Sequence, residues 1–303
     1  MATPASAVGD YAIITTLVDP SGKLGNYSVT SSNGTLSVTA ALLTGTADPK
    51  SRFYGAANPP FTVTYSGFVN EEDAGIVIGP LSGSTPATTN SPVGAYPIYV
   101  GGQTAPNYTI EYLEGTLTVL PTPLLVTADN TNRAYGQVNP AFSATIGGWV
   151  NGEDVGVLGG ALELSSPATT NSPVGSYPIV PAGLTSTNYA ITFSNGTLSV
   201  TAYALSVTAD DQSRSYGAAN PPLTGSLVGL QNEDNISAVY GTAAQTNSPV
   251  GAYAIVPTLV DPEGKLGNYS VSTTNGTLTV SAVTLPGTSL EESNRMGAAL
   301  ERQ

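Results

Sequence analysis

The chain contains no cysteine and no histidine, and only one tryptophan in 303 residues. Without cysteine no disulfide can staple a domain, and without thiolate or imidazole there is no ligand set for zinc, copper or haem. The same absences remove Ser-His-Asp and Cys-His catalysis. Charge is also scarce. Charged residues make up 10% of the chain, and the positive sign is rarest, with 8 Lys and Arg against 21 Asp and Glu for a net charge of −13. Such a surface is repelled by phosphate backbones, which excludes nucleic acid as a partner, and by anionic lipid. No run approaches the ~18 apolar residues of a membrane span, so no membrane insertion is expected in this segment. Met1 to Pro4 carries neither the basic nor the apolar region of an export signal, which would have to lie upstream.

What the chain does have is repetition. Tyr54-Gly55, Tyr135-Gly136 and Tyr216-Gly217 recur every 81 residues, each followed by Asn-Pro at Asn58, Asn139 and Asn220. Asn-Ser-Pro-Val-Gly follows from Asn90, Asn171 and Asn247, then Asn-Tyr at Asn107, Asn188 and Asn268, then Gly-Thr-Leu at Gly115, Gly196 and Gly276. Residues 7–40 match only the second half of this series. The expected organisation is a half repeat over 1–40, full repeats over 41–122, 123–202 and 203–282, and a non-repeat tail over 283–303, the whole a piece of a longer array.

Within a copy the periodicity is that of strands. Leu205 to Ala209 alternates apolar and polar residues, as do Leu223 to Leu230 and Thr277 to Val280. Asn275-Gly276 reads as a two-residue hairpin, and Asn232 to Asp234 before Ile236 and Val239 reads as the start of one short helix. Short strands at this spacing imply an all-β chain: a tandem array of Ig-like β-sandwich modules of about 80 residues, with a β-grasp-like module carrying one helix as the alternative. Gly196 to Ala202 passes through Tyr203 almost directly into Ala204 to Ala209, so no flexible linker separates the copies. Three such modules in line would span roughly 90–100 Å.

Eleven of the sixteen tyrosines occupy three recurring slots. These are Tyr54, Tyr135 and Tyr216; Tyr96, Tyr177 and Tyr253 (with Tyr11); and Tyr108, Tyr189 and Tyr269 (with Tyr27). They read as core and corner residues more readily than as sugar platforms, which rely on tryptophan. Arg52, Arg133 and Arg214 stand two residues before the Tyr-Gly pairs, with Asp48, Asp129 and Asp210 four residues upstream. Internal ion pairs with these aspartates, or with an acidic pair, are the simplest expectation. The acidic pairs Glu72-Asp73, Glu153-Asp154 and Glu233-Asp234 permit only oxygen ligation, hence Ca2+ as a weak cofactor candidate, although no EF-hand spacing accompanies them. No other cofactor and no catalytic residue is indicated.

Leu285 to Ser289 imitates a sorting signal but ends in the wrong residue, and Leu290 to Leu300 could form a short amphipathic helix. Val207-Thr-Ala-Asp210, Ser215 to Pro221, Gly229 to Asp234, Val250 to Tyr253, Gly267 to Tyr269 and Asn275 to Val280 together resemble the MBG domain of the Tyr-Gly type. The resemblance covers residues 7–282 and implies tandem repeats of bacterial cell-surface or secreted adhesin-like proteins, with no catalytic residues to transfer. The expected function is therefore a non-enzymatic, extracellular stalk whose partners are neighbouring repeats. The alternative is a multivalent array binding a host or matrix glycan or protein. Its specificity would sit in the loop 259–267, where the copies differ most.

Overall fold

The computed structural model describes residues 1–284; the expected sorting-like motif, amphipathic helix and most of the tail lie outside them. A two-stranded antiparallel ribbon comes first, β1 (Gly9–Ile13) with β2 (Gly34–Val38). The first full copy follows as β3 (Ala41–Ala47), β4 (Lys50–Phe53), β5 (Val63–Ser66), β6 (Ser82–Ser84), β7 (Gly94–Gly101), β8 (Tyr108–Leu113) and β9 (Gly115–Leu120). The second copy is β10 (Thr122–Ala128), β11 (Thr131–Ala134), β12 (Ala144–Gly147), β13 (Gly159–Ser165), β14 (Gly175–Thr185), β15 (Tyr189–Ser194) and β16 (Gly196–Thr201). The third is β17 (Tyr203–Ala209), β18 (Gln212–Ser215), β19 (Gly225–Val228), β20 (Ser237–Thr242), β21 (Gly251–Val260), β22 (Tyr269–Thr274) and β23 (Gly276–Ser281).

Each copy divides its seven strands between a three-stranded sheet, ordered β5-β3-β8 in the first copy, and a four-stranded sheet, ordered β4-β9-β7-β6. Both sheets are mixed: β3 runs antiparallel to β5 but parallel to β8, and β4 runs parallel to β9. In the first and third copies the sheets face one another, β3 on β7 and β9, β17 on β21 and β23. The all-β sandwich is therefore the observed fold. Alternation explains it locally. In β9 the side chains of Leu117 and Val119 are buried while Thr116 and Thr118 face out. One cluster per copy lies between the sheets, for example Ala47, Ala87, Ile98 and Leu117.

Two local expectations are corrected. The Asn275-Gly276 step is not a hairpin, because β22 and β23 belong to different sheets and neither residue has a positive φ. Gly276 is needed for another reason: a Cβ there would stand 2.5 Å from the Asp210 carbonyl oxygen. The short helix is also absent among the described residues. Ala74–Ile76 and Val155–Val157 are single 3-10 turns, and in the third copy Ser237 already begins β20. A three-residue turn suits a sandwich whose faces are both occupied by sheets, and it leaves the β-grasp alternative without its helix.

The described chain forms two compact units: Met1–Val126 with Ile146–Leu162 and Gly183–Phe193, and Thr127–Thr145 with Glu163–Ala182 and the described residues from Ser194 onward. Each unit contains a place where one repeat meets the next.

Candidate functional site

The junctions between repeats bring together most of the recurring polar residues. In the first unit Pro121 alone separates β9 from β10. A single apolar cluster spans the joint, with Tyr54 and Val119 of the first copy packed with Leu124 and Tyr189 of the second. The Tyr54 and Tyr189 rings meet edge to face at 5.8 Å, and Trp149 packs on Tyr189 at 5.5 Å. The Glu153 carboxylate lies between the two phenols. Tyr54 donates to its Oε1 and Tyr189 to its Oε2, each at 2.5 Å. One acidic side chain thus accepts from a tyrosine of each repeat, and bonds to a charged acceptor are the stronger class.

Around this core the backbone is matched group by group. Asn188 Oδ1 accepts from the Val93 N–H at 3.1 Å, and the Thr122 N–H donates to the Asn188 carbonyl at 3.0 Å. Asn151, held in the left-handed region at φ 55°, donates its amide to the Thr89 carbonyl. Gly55 has φ +80°, and any Cβ it carried would stand 2.5 Å from Val150 of the next repeat. The glycine of the Tyr-Gly pair is therefore required both by conformation and by close approach.

The second unit builds the same joint from the second and third copies. Tyr135 and Tyr269 meet at 5.6 Å and 78°, Val174 N–H donates to Asn268 Oδ1 at 3.0 Å, and Asn232 donates to the Thr170 carbonyl at 3.0 Å. In the third copy Asp234 stands 81 residues after Glu153 and takes the place Glu153 holds in the second copy. Its shorter arm reaches Tyr269 at 2.6 Å and Tyr135 at 3.2 Å. A Cβ on Gly136 would strike Gln231 at 2.5 Å.

These surroundings shift the phenols. Burial, then the bond to Glu153, pushes Tyr189 up to about 12, while for Tyr54 the Glu153 bond is the leading cause of a raised pKa. Tyr269 is raised by burial and by Asp234, and Tyr108 by burial and by Glu72, to which its hydroxyl donates at 2.5 Å.

The other expected residues take no part in the shared carboxylate, although Tyr96 and Tyr177 pack against the apolar clusters of the two joints. Tyr96, Tyr177 and Tyr253 each donate to the proline carbonyl four residues back, at 2.8 Å. Arg52, Arg133 and Arg214 are buried, but the expected ion pairs are not their partners. Arg52 Nε donates to Asn58 Oδ1 at 2.7 Å, and its terminal nitrogens bond the Phe53 and Thr88 carbonyls. Asp48 is occupied by the Thr62 and Thr64 hydroxyls. A guanidinium surrounded by neutral acceptors escapes the desolvation of a second charge, which is the physical reason the carboxylate stays out. Of the Ca2+ candidates, Glu72, Glu153 and Asp234 accept phenols. Asp73 and Asp154 cap the 3-10 turns by accepting from Gly75 and Gly156 N–H, and Glu233 lies with Asn232 in an ordinary turn of the third copy, with φ 58°. Among the described residues no three carboxylates gather as a cation site.

The roles of Asn58, Asn188, Asn268 and Val93 escaped sequence reasoning, although every one sits in a recurring motif. Their repetition was the available signal.

The MBG domain (YGX type) family matches residues 43–118, 124–199 and 205–279, well over half of the chain. The chain belongs to this family. Its Tyr-Gly signature is the pair that closes each joint described above. No curated protein matches the sequence significantly. Among solved structures, the I9–I11 tandem of titin has 11% identity and a TM-score of 0.23, covering 81% of this chain and 98% of its own. Drosophila N-cadherin EC1-4 has 10% identity and a TM-score of 0.23, covering 82% of this chain and 76% of its own. At such scores the likeness supports no argument. The MBG chain is a repeat module, and no helix among its described residues is long and apolar enough to cross a membrane.

Proposed function

We propose that this MBG segment is a non-catalytic spacer of a bacterial surface or secreted adhesin-like protein, holding successive repeats at a fixed spacing outside the cell. One observation carries the reading: both described full junctions share one carboxylate between tyrosines of adjacent repeats, at Glu153 and at Asp234. A chain selected to bind a ligand with each module would have no need to spend its recurring tyrosines on the joints. Strand-to-strand passage through Pro121 and through Ala202 supports the same reading, because a one-residue connection leaves little freedom for relative rotation. Each repeat, over 41–122, 123–202 and 203–282, then acts as a module stabilised by its own core plus its neighbour.

The absence of native cysteine makes the test direct. Ser82→Cys with Ser176→Cys places one dye on each side of the first junction, both at exposed positions. A narrow distance distribution by single-molecule energy transfer is expected, broadening when Tyr54→Phe and Glu153→Ala are added. A distribution already broad in the parent chain, and unchanged by those substitutions, overturns the spacer reading. So does reproducible glycan-array binding by the full chain that is lost on changing the 259–267 loop.

A further inference from the structure

The third copy presents the first half of a joint. Tyr216, its Tyr-Gly tyrosine, is 49% exposed, whereas Tyr54 is 5% and Tyr135 1% exposed. A Cβ on Gly217 would meet nothing within 4 Å, where Gly55 and Gly136 are covered by the following repeat. The backbone is nonetheless set as it is at the joints. Tyr216 N–H donates to the Ser281 carbonyl at 2.8 Å, as Tyr54 does to Leu120 and Tyr135 to Thr201 at the same distance. Gly217 keeps φ +80° and donates to the Thr246 carbonyl at 3.2 Å, matching Gly136 and Thr170. Val250, the counterpart of Val93 and Val174, is 58% exposed, against 42% for Val174 at a formed joint.

We infer that this preformed face is a docking surface for the leading face of a further repeat of the same family. The occupant's chemistry follows from the two described full joints. A carboxylate accepts from Tyr216 Oη, an asparagine Oδ1 accepts from Val250 N–H, an asparagine amide donates to the Thr246 carbonyl, and a tyrosine ring stands edge-on to Tyr216. Those four groups occur together on the face carrying Asp234, Asn268, Asn232 and Tyr269, so the surface continues an interface this chain already makes. The inference rests on the junction reading above.

Nitration of exposed phenols by tetranitromethane, read peptide by peptide by mass spectrometry, tests it on the full chain. Tyr216 should nitrate at least about tenfold faster than Tyr54 and Tyr135, because protection tracks local opening. Inserting a second copy of residues 203–282 after Ala282 should slow the original Tyr216 to the rate of Tyr135. Asp234→Ala in the inserted repeat alone should restore fast nitration. If Tyr216 stays fast in the extended chain while the inserted repeat's own core tyrosines are protected, the inference fails. It also fails if Tyr216 is slow in the parent chain and becomes fast when the chain is ended at Thr284, since the tail is then the occupant. The energy-transfer measurement across the first junction does not involve Tyr216, so failure of the spacer reading would be seen separately.

Discussion

Tyr54 and Glu153 lie 99 residues apart and are joined by a hydrogen bond of 2.5 Å, and Tyr135 and Asp234 repeat the relationship at the same separation. The bond crosses from one repeat to the next, so its loss should be felt by both. Tyr54→Phe keeps the ring and removes the hydroxyl. It should destabilise the chain by about 1.5–3 kcal/mol, the range for a bond to a charged group. Tyr216→Phe, at an exposed phenol, should change stability by no more than about 0.5 kcal/mol. Denaturant midpoints of the two variants check the contrast, and equal effects would refute the junction role of Tyr54.

The three Tyr-Gly glycines have nearly equal φ, +80°, +79° and +80°, but different neighbours. Gly217→Ala should cost only the left-handed penalty, about 1–2 kcal/mol. Gly55→Ala adds the collision with Val150, and overpacking of that kind costs a further ~1–3 kcal/mol. Equal melting-temperature losses at the two sites would show that the close approach at Gly55 is not real.

Arg133 bonds Asn139 and the Thr169 carbonyl, while Asp129 receives the Ser143 and Thr145 hydroxyls. Asn139→Ala leaves a buried guanidinium short of an acceptor and should cost about 2–3 kcal/mol. Asp129→Asn, at a half-buried side chain that can still accept a hydroxyl, should cost roughly 0.5 kcal/mol. The reverse ranking in thermal melts would restore the ion pair expected from spacing.

The raised tyrosine pKa values give an alkaline limit. An unfolded tyrosine titrates near 10, whereas Tyr189 holds its proton to about 12. Between those values the native state binds more protons than the unfolded state, so stability falls as pH rises. The contribution is complete below about pH 10 and lost as pH passes through 12. Unfolding midpoints measured from pH 8 to 12 should decline across that window, less steeply in Tyr189→Phe. A flat profile in the parent chain would count against the shift.

Lys23 and Lys265 occupy the same loop in the half repeat and in the third copy, each leading into a 3-10 turn. Tyr27 beyond the first is 72% exposed, whereas Tyr269 beyond the second is 7% exposed. Trypsin should therefore cut after Lys23 well before Lys265. Equal rates would mean that the ribbon of β1 and β2 is held more firmly than its exposed faces suggest.

Asn275-Gly276 shows why some of this was hidden. The dipeptide favours a hairpin in isolation, yet here it carries the chain between sheets, because Gly276 must pass the Asp210 carbonyl. Spacing likewise put Asp48 near Arg52, but burial of the guanidinium selected Asn58 and backbone carbonyls. Both outcomes depend on groups distant in the chain, which local pattern cannot weigh.

Periodicity and composition were enough to read the number of copies, their strand character, their nearly linkerless joints and the scarcity of cysteine, histidine and charge. That the Tyr-Gly and Asn-Tyr motifs face one another across a joint and share a single carboxylate emerges only from the packing of one repeat on the next. Packing likewise gives the role of Glu153 to Asp234 and not to Glu233. Partners 99 residues apart are chosen by how two sandwiches pack, and that choice is made by shape and desolvation, which no single repeat encodes alone.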